Sequence, residues 1–356
     1  MEHPEFLFDA SPKLEGETTW QAPSNIALVK YWGKHGVQLP KNPSVSFTLS
    51  TACTTTKVAF QPKATEDKVS FELLFEGQAA PAFHPKLAAF FERITPYVPF
   101  LKQHQLHITT SNSFPHSSGI ASSASAMAAL ALNIMSIEQM AHPELSETAM
   151  LRKASFLARL GSGSAARSIT GPMVVWGEHD AYPGSSSLFG VPFEAVHPVF
   201  QSYQDTILLV DKGQKKVSST LGHNLMHQHP YATQRFQKAD DHMGALESIL
   251  REGEVDAFCT LVEAEALALH AMMLTSHPSF ILMRPNTLAI IEAVLEFRRT
   301  TKIPLCYTLD AGANVHLLYP ESEKDSVHQF ITHSLQAFCH EGEYIHDAVG
   351  TGAKKM

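Results

Sequence analysis

Charge is scarce in this chain. Asp, Glu, Lys and Arg make up 17% of its 356 residues, and acid prevails, giving a net charge of −8. That balance argues against nucleic acid or an anionic membrane surface as the main partner. Cysteine is sparse as well: Cys53, Cys259, Cys306 and Cys339 lie far apart and form no C-x-x-C pair. Such spacing excludes a disulfide framework or a zinc ribbon and fits the reduced thiols of a cytoplasmic protein. The first 17 residues are acidic and lack an apolar h-region, so no secretory signal is expected; they read as a short extension ahead of the first strand. Residues 112–137 contain no Asp, Glu, Lys or Arg, yet their serines, asparagines and alanines are too polar to face lipid. A buried helix is the better reading. Internal repeats, low-complexity tracts, a Walker-type lysine loop and a dinucleotide fingerprint are all missing.

What is present is an ordinary globular composition, 44% hydrophobic and long enough for two domains or one large unit. Strand patterns occupy residues 18–31, 44–60, 68–75 and 105–111, with a Gly- and Pro-containing connection at 33–43. Helical patterns occupy 85–94, 119–137 and 144–160, the last ended by Gly161. Residues 172–176 and 205–211 are β-like, separated by a Gly-, Ser- and Pro-rich stretch at 180–198 that suits an inter-domain connection. Helices follow at 231–251, 255–274 and 286–300, then a hairpin at 304–309 and 314–319 and a closing helix at 324–338. Strands and helices mix without a strict βαβ rhythm, which indicates α+β.

Five segments carry chemistry. Pro115 to Ala124 is a small-residue loop running into an alanine-rich helix. Exposed backbone N–H groups and a helix N-terminus attract phosphate, although an N-capped core helix would read the same way. Gly161-Ser162-Gly163-Ser164-Ala165-Ala166-Arg167-Ser168 is a second loop of anion-binding type, with a guanidinium suited to carboxylate or phosphate. A helix cap explains Gly161 but not Gly163, Ser164 and Arg167 together. In Ala22 to Lys34, a strand would put Ile26, Leu28 and Lys30 on one face. A lysine there needs a partner, unless it snorkels from an edge. Asp310 stands where a strand meets a Gly-containing turn, either as a turn residue or as a carboxylate able to orient or deprotonate a hydroxyl. Lys212 to Thr220 adds cations and hydroxyls that a solvated turn would also supply. His223, His227 and His229 have metal-like spacing, but 20 histidines make chance clustering the better explanation, and no metal ligands are assigned.

Taken together, Ala-Pro-x-Asn-Ile-Ala…Lys-Tyr-Trp-Gly-Lys, Pro-x-x-x-Gly-Ile-Ala-Ser-Ser-Ala, Gly-Ser-Gly-Ser-Ala-x-Arg-Ser and Asp-Ala-Gly-x-Asn resemble the mevalonate diphosphate decarboxylases of the GHMP small-molecule kinase superfamily. The resemblance runs from about Thr18 to Tyr319. It implies a GHMP kinase-like α+β fold of two domains, an ATP-binding ribosomal-S5-like domain over 1–197 and a ferredoxin-like domain over 198–356. It further implies ATP-dependent decarboxylation of a phosphorylated mevalonate with Mg²⁺, in a cytoplasmic homodimer without nucleic-acid or membrane partners. By the same resemblance Asp310 is the catalytic aspartate, Lys30 pairs with it, and Arg167 holds the substrate carboxylate. Tyr31, Lys34, Ser162, Ser164 and Thr220, with Trp32, Gly33 and Gly163, bind substrate around its phosphate end. Ser118, Gly119, Ser122 and Ser123 hold the ATP phosphates. A cationic cluster of Lys30, Lys34, Arg167 and Lys212 to Lys216 follows.

The chain departs from the family in several places. Ala313 stands where Pro is usual, His116-Ser117-Ser118 replaces Thr-Ala-Ala, and Lys86 alone matches a basic residue of an early helix. Residues 223–231 are unlike the usual sequence, and the N-terminal extension and residues 344–356 are unmatched. Two other functions compete. One is a relative that phosphorylates without releasing CO₂ or takes a differently phosphorylated mevalonate, which Asp310, Lys30 and Arg167 together argue against. The other is a catalytically silent scaffold, which would tolerate losses at the motifs where none is found.

Overall fold

The computed structural model describes residues 3–10, 13–64, 68–115, 120–213 and 219–356. Two large sheets organise these residues, beside a two-stranded ribbon of Lys34–His35 and Leu39–Pro40. The larger has eight strands, centred on Gly16–Val29 and Ser44–Pro62, which pair antiparallel from Gly16↔Phe60 to Val29↔Val45. Threonine, which suits a pleated surface, recurs where the two strands pair, at Thr18 and Thr19 in one and Thr54, Thr55 and Thr56 in the other. Pro23 cannot donate to the ladder, and the register shifts just after it and again between Ala27 and Val29. Ser44–Pro62 pairs with Met173–Trp176 at one end and with His104–Asn112 at the other. The C-terminal Lys354–Lys355 returns to pair with Trp20 and Gln21.

Ser122–Ala141 and Glu147–Gly161 cover one face of this sheet, over a core that includes Trp20, Val58, Ile108, Leu132 and Phe156. The uncharged stretch is therefore a buried helix, though it starts at Ser122 and runs four residues beyond the expected end at 137. Its polar residues are satisfied inward. Asn133 accepts from Thr18 Oγ1 at 2.7 Å and donates to the Thr56 carbonyl at 2.9 Å, while Ser136 accepts from Trp20 Nε1 at 2.8 Å. Phe6 of the N-terminal extension stacks on Phe156 with ring centroids 4.1 Å apart, so the extension is anchored to this core.

The second sheet has four antiparallel strands in the order Cys306–Thr308, Val315–Tyr319, Gln204–Leu208, Tyr344–Ala348. Helices Ala232–Glu252, Val255–Leu274 and Pro285–Thr301 contribute to the cores beside it. The expected hairpin is present as Cys306–Thr308 and Val315–Tyr319. The expected single closing helix is not: Lys324–Phe330 is α-helical, Ile331–Leu335 is a π-turn and Gln336–Phe338 is 3₁₀. Val327, Ile331 and Leu335, at spacings of four, all stay buried through that change of winding.

One hydrophobic cluster joins the two sheets, with Ile26, Val45 and Phe47 packed among Phe200, Ile207, Leu246, Phe258 and Val262. A polar tie reinforces it: the Asp347 carboxylate accepts the backbone N–H groups of Ser50, Thr51 and Ala52 at 2.7–2.9 Å. Val255–Leu274 is long and apolar enough to cross a membrane, but most of it is buried within the protein, as in a core helix.

Candidate active site

Lys30 follows directly on the end of Gly16–Val29. The expected one-sided face does not hold there. Every residue from Ala22 to Lys30 is buried, because the register shifts twist the strand and the second core covers its outer side. Lys30 is 2% exposed, and its Nζ donates to Asp310 Oδ1 at 2.9 Å. The pair answers the cost of an ammonium at that depth. Asp310 stands just past Cys306–Thr308, where its carbonyl accepts the Gly312 N–H at 2.7 Å. The Ala313 carbonyl accepts from the buried Thr287 hydroxyl at 2.7 Å, which ties down the turn after Asp310.

Glu147–Gly161 leads into a 3₁₀ segment, Gly163–Ser168. A Cβ on Gly161 would lie 2.6 Å from Met127 Sδ, so this glycine serves close packing and not a left-handed cap. A Cβ on Gly163 would lie 2.7 Å from Trp176 and 3.0 Å from the Tyr31 hydroxyl, so only glycine lets this turn reach the site. Arg167 is 2% exposed, donates from Nε to Ser46 Oγ at 2.9 Å and from Nη1 to Ser44 Oγ, and lies over the Trp176 ring. Burial pulls its pKa down to about 10, opposed by the negative charge of Asp310 and by Tyr31. At neutral pH the guanidinium stays charged, within the electrostatic influence of Asp310.

Tyr31, Trp32 and Gly33 form the turn beyond Lys30. Among the described residues the buried Tyr31 hydroxyl and Trp32 Nε1 have no hydrogen-bond partner, which leaves two donors for a bound molecule. Burial raises the Tyr31 pKa, so the hydroxyl keeps its proton. Gly33 has φ +91° and donates its N–H to His223 Nδ1 at 3.0 Å. The His223 ring lies 4.3 Å from that of Tyr31 and 4.7 Å from that of Trp32. Lys34 donates to Gln38 Oε1 at 3.0 Å. Ser162 caps the preceding helix, and the Ser164 carbonyl accepts from Asn25 Nδ2 at 3.3 Å. Lys212 pairs with Glu343 at the other sheet. Residues 116–119 and 214–218, hence Ser118, Gly119, Lys215 and Lys216, lie outside the described residues, as does the side chain of Thr220.

Ser122 and Ser123 open the buried helix, and Lys86 Nζ donates to Ser123 Oγ at 2.7 Å. Ala121, just before them, takes φ +41°, turning the chain sharply into the helix. Beside this turn is a mostly apolar cavity of about 180 Å³, lined among others by Leu73, Phe75, Leu87, Ala126 and Leu130 together with Lys86, Ser122 and Ser123. A helix start, hydroxyls and a lysine next to an apolar cavity suit an anion attached to an aromatic base.

Several residues of this region escaped sequence reasoning. Ser44 and Ser46 hold Arg167. Glu265, 0% exposed, accepts the Lys30 N–H at 2.9 Å, while Arg235 and Asn42 donate to the Lys30 carbonyl at 3.2 and 3.1 Å. His270 Nε2 bonds the Asp310 carbonyl at 3.1 Å. The available signal was Glu263, Glu265 and His270 inside the otherwise apolar run 261–274.

Comparison with known proteins shows the family. Residues 22–189 match the Diphosphomevalonate decarboxylase-like N-terminal domain, and residues 206–354 match the Mevalonate 5-diphosphate decarboxylase C-terminal domain. The second match reaches residue 354, well past Tyr319, so most of the tail beyond residue 344 belongs to the family after all. The crystal structure of mevalonate diphosphate decarboxylase from Staphylococcus aureus aligns with 98% of this chain and 100% of its own, at TM-score 0.82 and 26% identity. A solved complex of the protein MDDEF with MVAPP, AMPPCP and magnesium aligns with 96% of this chain and 99% of its own, at TM-score 0.82 and 24% identity, which shows a shared fold. In sequence, the diphosphomevalonate decarboxylase mvd1 of Aspergillus fumigatus is 30% identical over 330 residues, which span 87% of this chain and 78% of that protein. The chain belongs to the diphosphomevalonate decarboxylase family.

Proposed function

We propose that this protein catalyses the ATP-dependent decarboxylation of mevalonate diphosphate to isopentenyl diphosphate, ADP, phosphate and CO₂. The observation that carries the reading is the Lys30–Asp310 pair at 2.9 Å, with the buried, serine-held guanidinium of Arg167 within its electrostatic reach. That combination gives a carboxylate for a hydroxyl and a fixed cation for a second carboxylate. A plain phosphoryl transferase needs only the first.

In this reading the Asp310 carboxylate orients the tertiary hydroxyl and accepts its proton as the phosphoryl group arrives. Arg167 grips the substrate carboxylate through the Nη1 and Nη2 N–H groups that Ser44 and Ser46 do not occupy. When phosphate departs with the C–O bonding pair and takes that proton from Asp310, the restored negative charge of the carboxylate favours the electron-poor carbon. The electrons of the C–CO₂ bond then form the double bond, and neutral CO₂ leaves the guanidinium. Tyr31, Trp32, Gly33, Lys34, Ser162, Gly163, Ser164 and Thr220 are assigned to the phosphate end of the substrate; the Tyr31 hydroxyl and Trp32 Nε1, unpaired among the described residues, support this.

Ser118, Gly119, Ser122 and Ser123, joined by Lys86, are assigned to the ATP phosphates, and the apolar cavity beside them to the base. A neighbour of the same fold is bound to AMPPCP and magnesium, which supports ATP and Mg²⁺ as the ligands. Among the described residues no group of three or more His, Cys, Asp or Glu forms a metal cage. Serine hydroxyls and phosphate oxygens fit Mg²⁺, which when bound neutralises phosphate charge. We further infer a homodimer in the cytoplasm, with two domains divided near residue 198. Four free buried cysteines support the compartment, and the two sheets support the division. Sedimentation tests the dimer. CO₂ release from mevalonate diphosphate with ATP tests the reaction, and phosphorylated product without CO₂ would replace this reading with a kinase.

A further inference from the structure

We propose that helix Val255–Leu274 is a positioning element for the reaction, gripping Lys30 through Glu265 and Asp310 through His270 so that their separation is set by one rigid rod. The proposal rests on the reading that Asp310 is the catalytic carboxylate.

The first grip is on Lys30. Because the strand ends at Val29, the Lys30 backbone has left the ladder, and both its polar groups are held by side chains instead. Glu265 Oε2 accepts the Lys30 N–H at 2.9 Å, and Arg235 Nη2 donates to the Lys30 carbonyl at 3.2 Å. Glu265 is itself immobilised, taking Arg235 at 3.0 and 2.6 Å and His242 Nδ1 at 2.6 Å. Burial raises its pKa, but the donors from His242, Arg235 and Lys30 outweigh burial and leave it below the usual carboxylate range, so it is ionised. A fully buried carboxylate with four donors is a fixed point.

The second grip is on Asp310. A carbonyl only accepts, so the His270 ring carries its proton on Nε2 and donates it at 3.1 Å. His270 is 2% exposed. Burial, opposed by that hydrogen bond, brings its pKa down to about 4 and keeps the ring neutral. Five residues separate Glu265 from His270, a rise of about 7.5 Å along a helix that cannot stretch. Neither group reaches the pair's charged atoms in these contacts. Both hold backbone, which is what a spacer does. Displacement of a reacting group by about 1 Å can cost about a hundredfold in rate.

The test compares His270→Leu, His270→Gln and Glu265→Gln, each alone and combined with Asp310→Asn, in CO₂-release kinetics with ATP and mevalonate diphosphate, alongside thermal melting. His270→Leu is expected to lower kcat about 10- to 100-fold with both KM values within about twofold. His270→Gln, which retains an N–H donor, recovers most of that loss. On the Asp310→Asn background neither change lowers kcat further, since nothing is left to position. Glu265→Gln follows the same pattern; if it fails to fold, the His270 variants decide. An unchanged kcat in His270→Leu, or an equal loss on the Asp310→Asn background, overturns the proposal while leaving the functional reading intact. Wild-type protein that releases no CO₂ overturns that reading and this proposal together.

Discussion

Lys30 Nζ and Asp310 Oδ1 meet at 2.9 Å across 280 positions of sequence, and the two side chains are unequally exposed, 2% against 28%. The lysine is sealed in and the carboxylate is left accessible, as a group must be if it is to meet a substrate hydroxyl. Asp310→Asn keeps the shape and loses the charge. We expect kcat to fall about a thousandfold while ATP binding changes less than about twofold, measured by steady-state kinetics and nucleotide titration. A rate within about tenfold of wild type would remove Asp310 from the chemistry.

Arg167 is oriented by two serines and lies over Trp176, an arrangement specific to a planar guanidinium. Arg167→Lys keeps the charge but cannot reproduce the fork. kcat/KM for mevalonate diphosphate should drop about 100-fold, and the KM for ATP should hold. If the lysine variant matches wild type, charge alone suffices and the bidentate role is wrong.

The base and phosphate assignments separate from the substrate pocket. Lys86→Met removes the contact to Ser123, and Ala126→Phe places a ring in the adjacent cavity of about 180 Å³. Each should raise the KM for ATP about tenfold without moving the KM for mevalonate diphosphate. A shift in the second constant instead of the first would relocate the nucleotide.

Stability should depend on pH through two buried rings. Burial brings His223 down to about 3 and His270 to about 4, from an ordinary value near 6.5. Above about pH 6.5 both rings are neutral folded or unfolded, and their contribution is complete. Below it the unfolded chain takes up protons that the folded one refuses, so stability falls until the folded values are reached. The slope is about 1.4 kcal/mol per pH unit for each ring, about 2.7 for both. Urea unfolding between about pH 6.5 and about pH 4.5 measures it, and His270→Gln should reduce it by about half. A flat profile would mean that these rings are protonated in the fold.

The parts of the site legible in the sequence are those where a single residue type meets a local demand. Gly163 permits a close approach to Trp176 and Tyr31, Asp310 stands at a strand end, and the uncharged run 112–137 announces a buried helix. Hidden from sequence were the residues whose purpose lies in distant partners. Arg235, Glu265 and His270 read as ordinary helix positions until the fold sets them 40 to 235 residues away against Lys30 and Asp310. The alternation expected around Lys30 failed because Pro23 interrupts the ladder and a second core covers the strand, a tertiary effect that no local pattern carries. The change of winding at Ile331 is of the same kind, since three buried residues at spacings of four satisfy the core in either winding.

The most direct measurement is the ratio of CO₂ released to ADP formed when the protein turns over mevalonate diphosphate with ATP and Mg²⁺. A carboxylate facing an alcohol beside a guanidinium that holds a second carboxylate predicts one CO₂ for each ADP. ADP accumulating with a stable phosphorylated product and no CO₂ would contradict the account.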